Sequence, residues 1–133
     1  RIPETYIPSL EKRSLWYGRI SEAKGLGELS RLERRLRAEY GPLPEEAQRF
    51  FALERLKRLA QAKGVLSITE ELLYLQIVFS HWPLDYDAQA FKAFPHRLEL
   101  TQYPPGLRLV KKGLSPDQYP EVLAELLYLF KDR

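Results

Sequence analysis

Three arginines, Arg31, Arg34 and Arg35, fall within five residues and are followed by Ala38 and Glu39. On a helix, Arg31, Arg34, Arg35 and Ala38 share one face at spacings of three, four and seven, which makes a basic stripe around a small residue. Two readings fit it. The stripe is a solvated face, with Arg31 and Arg35 flanked by Glu28 and Glu39, or it meets an anionic partner, protein or nucleic acid. No aromatic residue interleaves the stripe, so base stacking lends nucleic acid no special support. The surrounding segment is basic as well: from Arg31 to Lys63, nine Lys or Arg stand against five Glu, a local +4 in a chain of formal net charge +3.

Other chemistry finds little footing. Neither G-x-x-x-x-G-K-[ST] nor G-x-G-x-x-G occurs, and the short run Gly25 to Gly27 reads as a helix break. There is no G-x-S-x-G elbow and no cysteine nucleophile. With no cysteine and only His81 and His96 as imidazoles, structural zinc is not expected. The carboxylate pairs Glu45/Glu46, Glu70/Glu71 and Asp85/Asp87 could do acid and base work. Each has a plainer explanation, as a helix start, a hairpin turn and the first turn of a short helix. His81, beside Trp82 and before Pro83, reads as a structural residue at a strand end. No catalytic, cofactor-binding or metal-binding residue is expected in this chain.

The elements that must position the stripe are legible from periodicity. Pro3 and Pro8 predict an extended lead-in. Ser9 is placed to cap a first helix ending near Gly25, with Leu10, Tyr17, Ile20 and Lys24 as its stripe and Trp16 beside it. Leu29, Leu32, Leu36 and Tyr40 form the apolar face of a second helix, opposite the arginines. Gly41 stands where a left-handed stop is wanted. Pro42 prevents continuation, and Pro44 with Glu45 and Glu46 supplies the first turn of a third helix. That helix is expected to run to about Lys63, stop at Gly64, and bury Ala47, Phe50, Phe51, Leu53, Leu56 and Ala60.

Beyond Gly64 the period changes to that of strands, 65–69 and 72–79, with Glu70 and Glu71 as their turn. A short helix is expected between Pro83 and Pro95, then a second hairpin about Pro104-Pro105-Gly106. A closing helix carries Tyr119, Val122, Leu123, Leu126 and Phe130, opened by Asp117 with Pro120 in its first turn. The pattern implies an α+β fold: N-terminal helices followed by a small antiparallel sheet of two hairpins packed against helices. At 133 residues and 44% hydrophobic content the chain suits a single domain, 1–133. No apolar run approaches the roughly 20 residues that span a bilayer, and the residues from Arg1 onward do not read as a secretory leader, so a cytoplasmic protein is expected. The absence of methionine, at Arg1 included, suggests a piece of a longer chain.

Three runs carry a family resemblance: IPETYIP at Ile2 to Pro8, RSLWYGRI at Arg13 to Ile20, and LRAEYGPLP at Leu36 to Pro44. Together they resemble the C-terminal domain of the bacterial transcription-repair coupling factor family. There the runs read approximately I-P-x-x-Y-I, R-L-x-x-Y-x-R-I and E-L-x-D-R-F-G-x-L-P, in the same order and spacing. The resemblance is specific over the first half of the chain and looser beyond it. It implies a non-catalytic regulatory domain of an ATP-driven translocase of double-stranded DNA. ATP and magnesium would belong to motor domains elsewhere in that parent chain. The parent's partners would be stalled RNA polymerase, the excision-repair protein UvrA and double-stranded DNA, with no membrane involved.

The domain itself would fold back on a UvrB-like module of the same chain and cover the surface that UvrA uses, an autoinhibitory clamp. The basic stripe, taken with the resemblance, makes Arg31, Arg34, Arg35, Ala38 and Glu39 the partner-binding candidates. Gly41, Pro42 and Pro44 of the corner are read as structural, and so are Tyr6, Arg13 and Tyr17 within the resembling runs. At the positions where the family pattern has Glu, Asp and Arg, this chain has Arg35, Ala38 and Glu39. The alternative class is a DNA-contacting accessory module using Arg31, Arg34, Arg35, Arg49, Arg55 and Arg58.

Overall fold

A computed structural model describes residues 1–133, which divide into two compact units, Arg1–Arg58 and Leu59–Arg133. Together their elements make an α+β fold, with helices first, then an antiparallel sheet and a closing helix.

The first unit holds α1 (Leu10–Glu22), α2 (Gly25–Tyr40) and most of α3 (Glu45–Ala62). Its lead-in is a turn and not the expected extended segment. Pro3 has no N–H to give but keeps its carbonyl, which accepts from the N–H groups of Tyr6 and Ile7, both at 3.1 Å. The turn drives Ile2 and Ile7 into the core. Ser9 caps α1, its hydroxyl accepting from Lys12 N at 3.2 Å. The helix stops at Glu22, and Gly25, at φ +72°, opens α2. Burial on α1 centres on Trp16 and Ile20, while Leu10, in the first turn, is 69% exposed. On α2, Leu29, Leu32 and Leu36 are buried as their spacing dictates. On α3, Ala47, Phe51, Leu56 and Leu59 are buried, whereas Leu53 is exposed. Ala47, Phe51, Leu56 and Leu59 span one side of α3 at the helical period, and Leu53 falls on the opposite side.

The second unit is built on a four-stranded antiparallel sheet, order β1-β2-β4-β3, of β1 (Val65–Glu70), β2 (Tyr74–Phe79), β3 (Leu100–Tyr103) and β4 (Gly106–Val110). The first turn is shifted from expectation. Glu70 still belongs to β1, and Glu71 N–H reaches Tyr74 carbonyl at 2.8 Å, leaving Leu72 and Leu73 exposed in the loop. Leu75, Ile77 and Phe79 of β2 and Leu107 and Leu109 of β4 form the inner, buried face. Phe79 meets Phe130 edge-on, with ring centres 5.6 Å apart. At the second turn, a Cβ on Gly106 would lie 2.5 Å from Ile77 carbonyl oxygen, so only glycine lets β4 approach β2 there.

The short helix α4 (Ala88–Ala93) is capped by Asp87, which accepts from Gln89 N and Ala90 N. Ahead of α5 (Tyr119–Leu127), a 3-10 turn, Pro116–Gln118, is closed by a capping box between Ser115 and Gln118. Ser115 and not Asp117 therefore starts this segment, and Pro120 does lie in the first turn of α5. Phe130 falls past the helix end, bridging to Tyr86.

Candidate protein-interaction face

The corner between α2 and α3 is assembled from backbone groups that the helices cannot satisfy themselves. Gly41 N–H closes α2 on Arg37 carbonyl at 2.8 Å. Its backbone, φ 89° and ψ −169°, is not the left-handed helical stop expected but an extended mirror-image conformation that glycine alone tolerates. Gly41 carbonyl is then taken up by Tyr6 hydroxyl at 2.6 Å, and the Tyr6 and Tyr40 rings pack 5.7 Å apart. Burial pushes the Tyr6 phenol above its ordinary value of 10.0, an effect opposed by Arg37. Pro42 is exposed, Leu43 is buried, and Pro44 carbonyl accepts from Gln48 N at 3.0 Å, the first turn of α3.

The lead-in is fastened in the same way. Tyr17 hydroxyl accepts from Ile2 N at 2.6 Å. Arg13 donates through Nη1 to the carbonyls of Ile7 at 2.6 Å and Pro8 at 3.0 Å. Tyr6, Arg13 and Tyr17 thus converge on one strap of backbone, Ile2 to Pro8, and on the corner it adjoins.

Around this frame, Arg31, Arg34, Arg35, Ala38 and Glu39 are all exposed; the three arginines and Ala38 lie on the side of α2 away from Leu29, Leu32 and Leu36, and Glu39 lies beside Leu32 at the edge of that side. Arg31 and Arg34 make no ion pair or hydrogen bond within the chain. Arg35 differs: its guanidinium lies 5.8 Å from the centre of the buried Trp16 ring, with Arg19 of α1 at 5.0 Å from the same ring. Neither Glu28 nor Glu39 ties the stripe, because Glu28 accepts from Lys24 N at 2.8 Å at the start of α2. The stripe is accordingly a set of exposed cations with unspent donors.

The wider arginine set divides. Arg55 pairs with Glu33 at 2.7 Å, and Arg49 with Glu45 at 3.0 Å. Arg58 donates to Ile20 carbonyl at 2.6 Å and Ala23 carbonyl at 3.1 Å, and pairs with Glu54 at 3.2 Å. It completes the hydrogen bonding at the C-terminal end of α1, where carbonyls lack intrahelical partners. Sequence reasoning counted Arg58 as a surface cation. Its partners lie 35 and 38 residues away, and no local pattern marks them. Half of the six arginines of the DNA-contacting alternative are thus engaged inside the unit.

The carboxylate pairs are placed as turns and caps. Asp87 caps α4, Asp85 pairs with Lys131 at 3.6 Å, and Glu70 pairs with Lys111 at 2.9 Å. No three His, Asp or Glu side chains converge in a way that could hold a metal ion. No helix is long and apolar enough to cross a membrane.

Comparison with known proteins bears on the fold and the family. No curated protein matches the chain. A solved structure described as the C-terminal domain of transcription-repair coupling factor superposes with a TM-score of 0.68 at 13% identity, covering 96% of this chain and 83% of that one. At that identity the likeness is one of fold. The family model of the TRCF domain matches residues 1–88, the strap, the α2–α3 corner and the first hairpin included. With two thirds of its length matched, the chain belongs to the TRCF domain family.

Proposed function

We propose that this chain is a regulatory, non-catalytic domain of a transcription-repair coupling DNA translocase. It masks a UvrB-like module of the parent chain and so controls recruitment of UvrA. ATP and magnesium serve the parent's motor domains, and RNA polymerase and double-stranded DNA are partners of the parent. The observation that carries the reading is the α2 face. A rigid corner presents Arg31, Arg34, Arg35, Ala38 and Glu39 on a helix that the strap and α3 hold from behind, with Arg31 and Arg34 unpaired. Such a face suits a protein surface carrying carboxylates, since opposite charges fix register and orientation more than they add raw affinity.

Nucleic acid fits less well. Arg49, Arg55 and Arg58 are held by Glu45, Glu33 and Glu54, so few cations remain to track a phosphate backbone.

The test is capture of UvrA by the full-length parent protein, compared with the same protein carrying Arg31→Glu, Arg34→Glu and Arg35→Glu, and with one lacking this domain. Both changes are expected to increase capture. Arg31 and Arg34 are exposed and unpaired, so each should alter stability by about 0.5 kcal/mol or less. Arg35 should cost somewhat more, about 1 kcal/mol, because it leaves the Trp16 ring. Increased capture on deletion but not on charge reversal would reject this face; no increase from either would reject masking.

A further inference from the structure

The outer face of the sheet holds an arginine in an arrangement unlike any on the helices. The register puts Tyr74, Gln76 and Val78 of β2, Arg108 of β4 and Thr101 and Tyr103 of β3 on the face opposite the buried leucines. Arg108, on a central strand, is flanked by rings from the strands on either side. Its guanidinium carbon lies 3.6 Å from the centre of the Tyr103 ring and 4.5 Å from that of Tyr74. Its Nε donates to Gln76 Oε1 at 3.2 Å. The terminal amino groups find no acceptor, and no carboxylate lies within ion-pairing distance. Arg108 is the one charged residue at the outward positions of the four strands.

We propose that this Tyr74–Arg108–Tyr103 stack is a docking site for a carboxylate side chain, Asp or Glu, presented by a partner protein. Arginine ordinarily loses much rotamer freedom when it binds; here the rings and Gln76 have already fixed it, so a carboxylate meets a pre-set fork of donors. A guanidinium matches a carboxylate with two parallel hydrogen bonds. The Tyr103 ring, 3.6 Å from the guanidinium carbon, lies close enough to shield it from water on that side, which strengthens a charge-assisted contact. Tyrosine and arginine together also have the composition of interface hot spots. Tyr103 is 58% exposed and Tyr74 and Arg108 are half-buried, so the stack reaches solvent. A single cation fits a single carboxylate. A nucleic acid, whose affinity grows with the number of phosphates neutralised, would want several. The site belongs to the sheet unit and stands or falls independently of the α2 face.

The test follows the Arg108 Nε–H and the Tyr74 and Tyr103 ring resonances of this 133-residue chain by NMR. A capped Ala-Glu-Ala peptide is titrated in, then its Ala-Gln-Ala counterpart, then single-stranded oligo-dT. The glutamate peptide should shift Arg108 saturably, at least about tenfold more tightly than the glutamine peptide, since a charge-assisted bidentate pair exceeds a neutral hydrogen bond by that order. Arg31 and Arg34 serve as internal solvated controls and should respond more weakly. Arg108→Lys keeps the charge without the planar fork and should lose most of the preference, with unchanged sheet amide shifts reporting that the fold survives. No response at Arg108, equal response to both peptides, or a response no stronger than that of Arg31 overturns the proposal. A tighter response to oligo-dT than to the glutamate peptide also overturns it, in favour of nucleic acid.

Discussion

The helical unit and the sheet unit use arginine in opposite ways. In the helical unit, Arg13 and Arg58 spend their donors on backbone carbonyls, while Arg31 and Arg34 on α2 spend none. In the sheet unit, Arg108 lies against the Tyr74 and Tyr103 rings and yet keeps its terminal donors free. Counting charge along the chain cannot distinguish these states. The lesson is that an interaction surface is located by which donors remain unspent, and that the same residue type a few turns away is scaffold.

The sharpest way to break that comparison is to remove one spent and one unspent arginine. Arg58→Ala orphans the carbonyl contacts at the end of α1 and leaves Glu54 without a partner on that side, and it should cost about 3 kcal/mol. Arg34→Ala should cost no more than about 0.5 kcal/mol. Chemical denaturation that ranks the two alike would dissolve the distinction between scaffold and surface.

Next in size is the corner. Gly41→Val forces a β-branched residue into a backbone region reserved for glycine, and a loss of about 1 to 3 kcal/mol is expected. A Cβ there meets nothing within 4 Å, so the penalty is one of backbone conformation and not of crowding. Unchanged denaturation midpoints would mean that the corner relaxes to another conformation.

Tyr6→Phe, which removes the hydroxyl bonded to Gly41 carbonyl, should cost about 1 kcal/mol at neutral pH. It also has a pH signature. The folded Tyr6 phenol is raised above 10.0, so the folded state holds its proton more tightly than the unfolded one. Its contribution is complete below pH 10 and is lost as pH rises through the folded value. Stability of the parent sequence should therefore fall more steeply above pH 10 than that of Tyr6→Phe, as followed by denaturation across that range. Parallel profiles would remove Tyr6 from the account.

Much of the helical unit was legible in the sequence because its signals are local. Leu29, Leu32 and Leu36 recur at helical spacing and are buried, and Gly41 with Pro42 and Pro44 marks the corner. The errors arose where a partner distant in sequence decides. Pro3 and Pro8 spoke for extension, but the N–H groups of Tyr6 and Ile7 found Pro3 carbonyl and folded the lead-in. Trp16 took the core place expected of Leu10, in a cluster with Ile2 and Ile7 of the folded lead-in and Leu29 of α2. The Arg108 stack was invisible, since it depends on the pairing of β4 with both β2 and β3, a register no single segment encodes. The exposed stripe on α2 was legible because a helical stripe needs only its own periodicity. Their lack of acidic partners needed the structure.

The central proposal is that the α2 face is covered in the longer parent chain. Ala38 lies exposed in the middle of that face, and the chain has no cysteine, so Ala38→Cys introduces a reporter at the point of proposed contact. Its alkylation rate, read by peptide-resolved mass spectrometry, should be at least about tenfold slower in the full-length parent than in the isolated 133-residue chain, as expected for a predominantly closed state. Equal rates in the two proteins would show the face open to solvent and contradict the account.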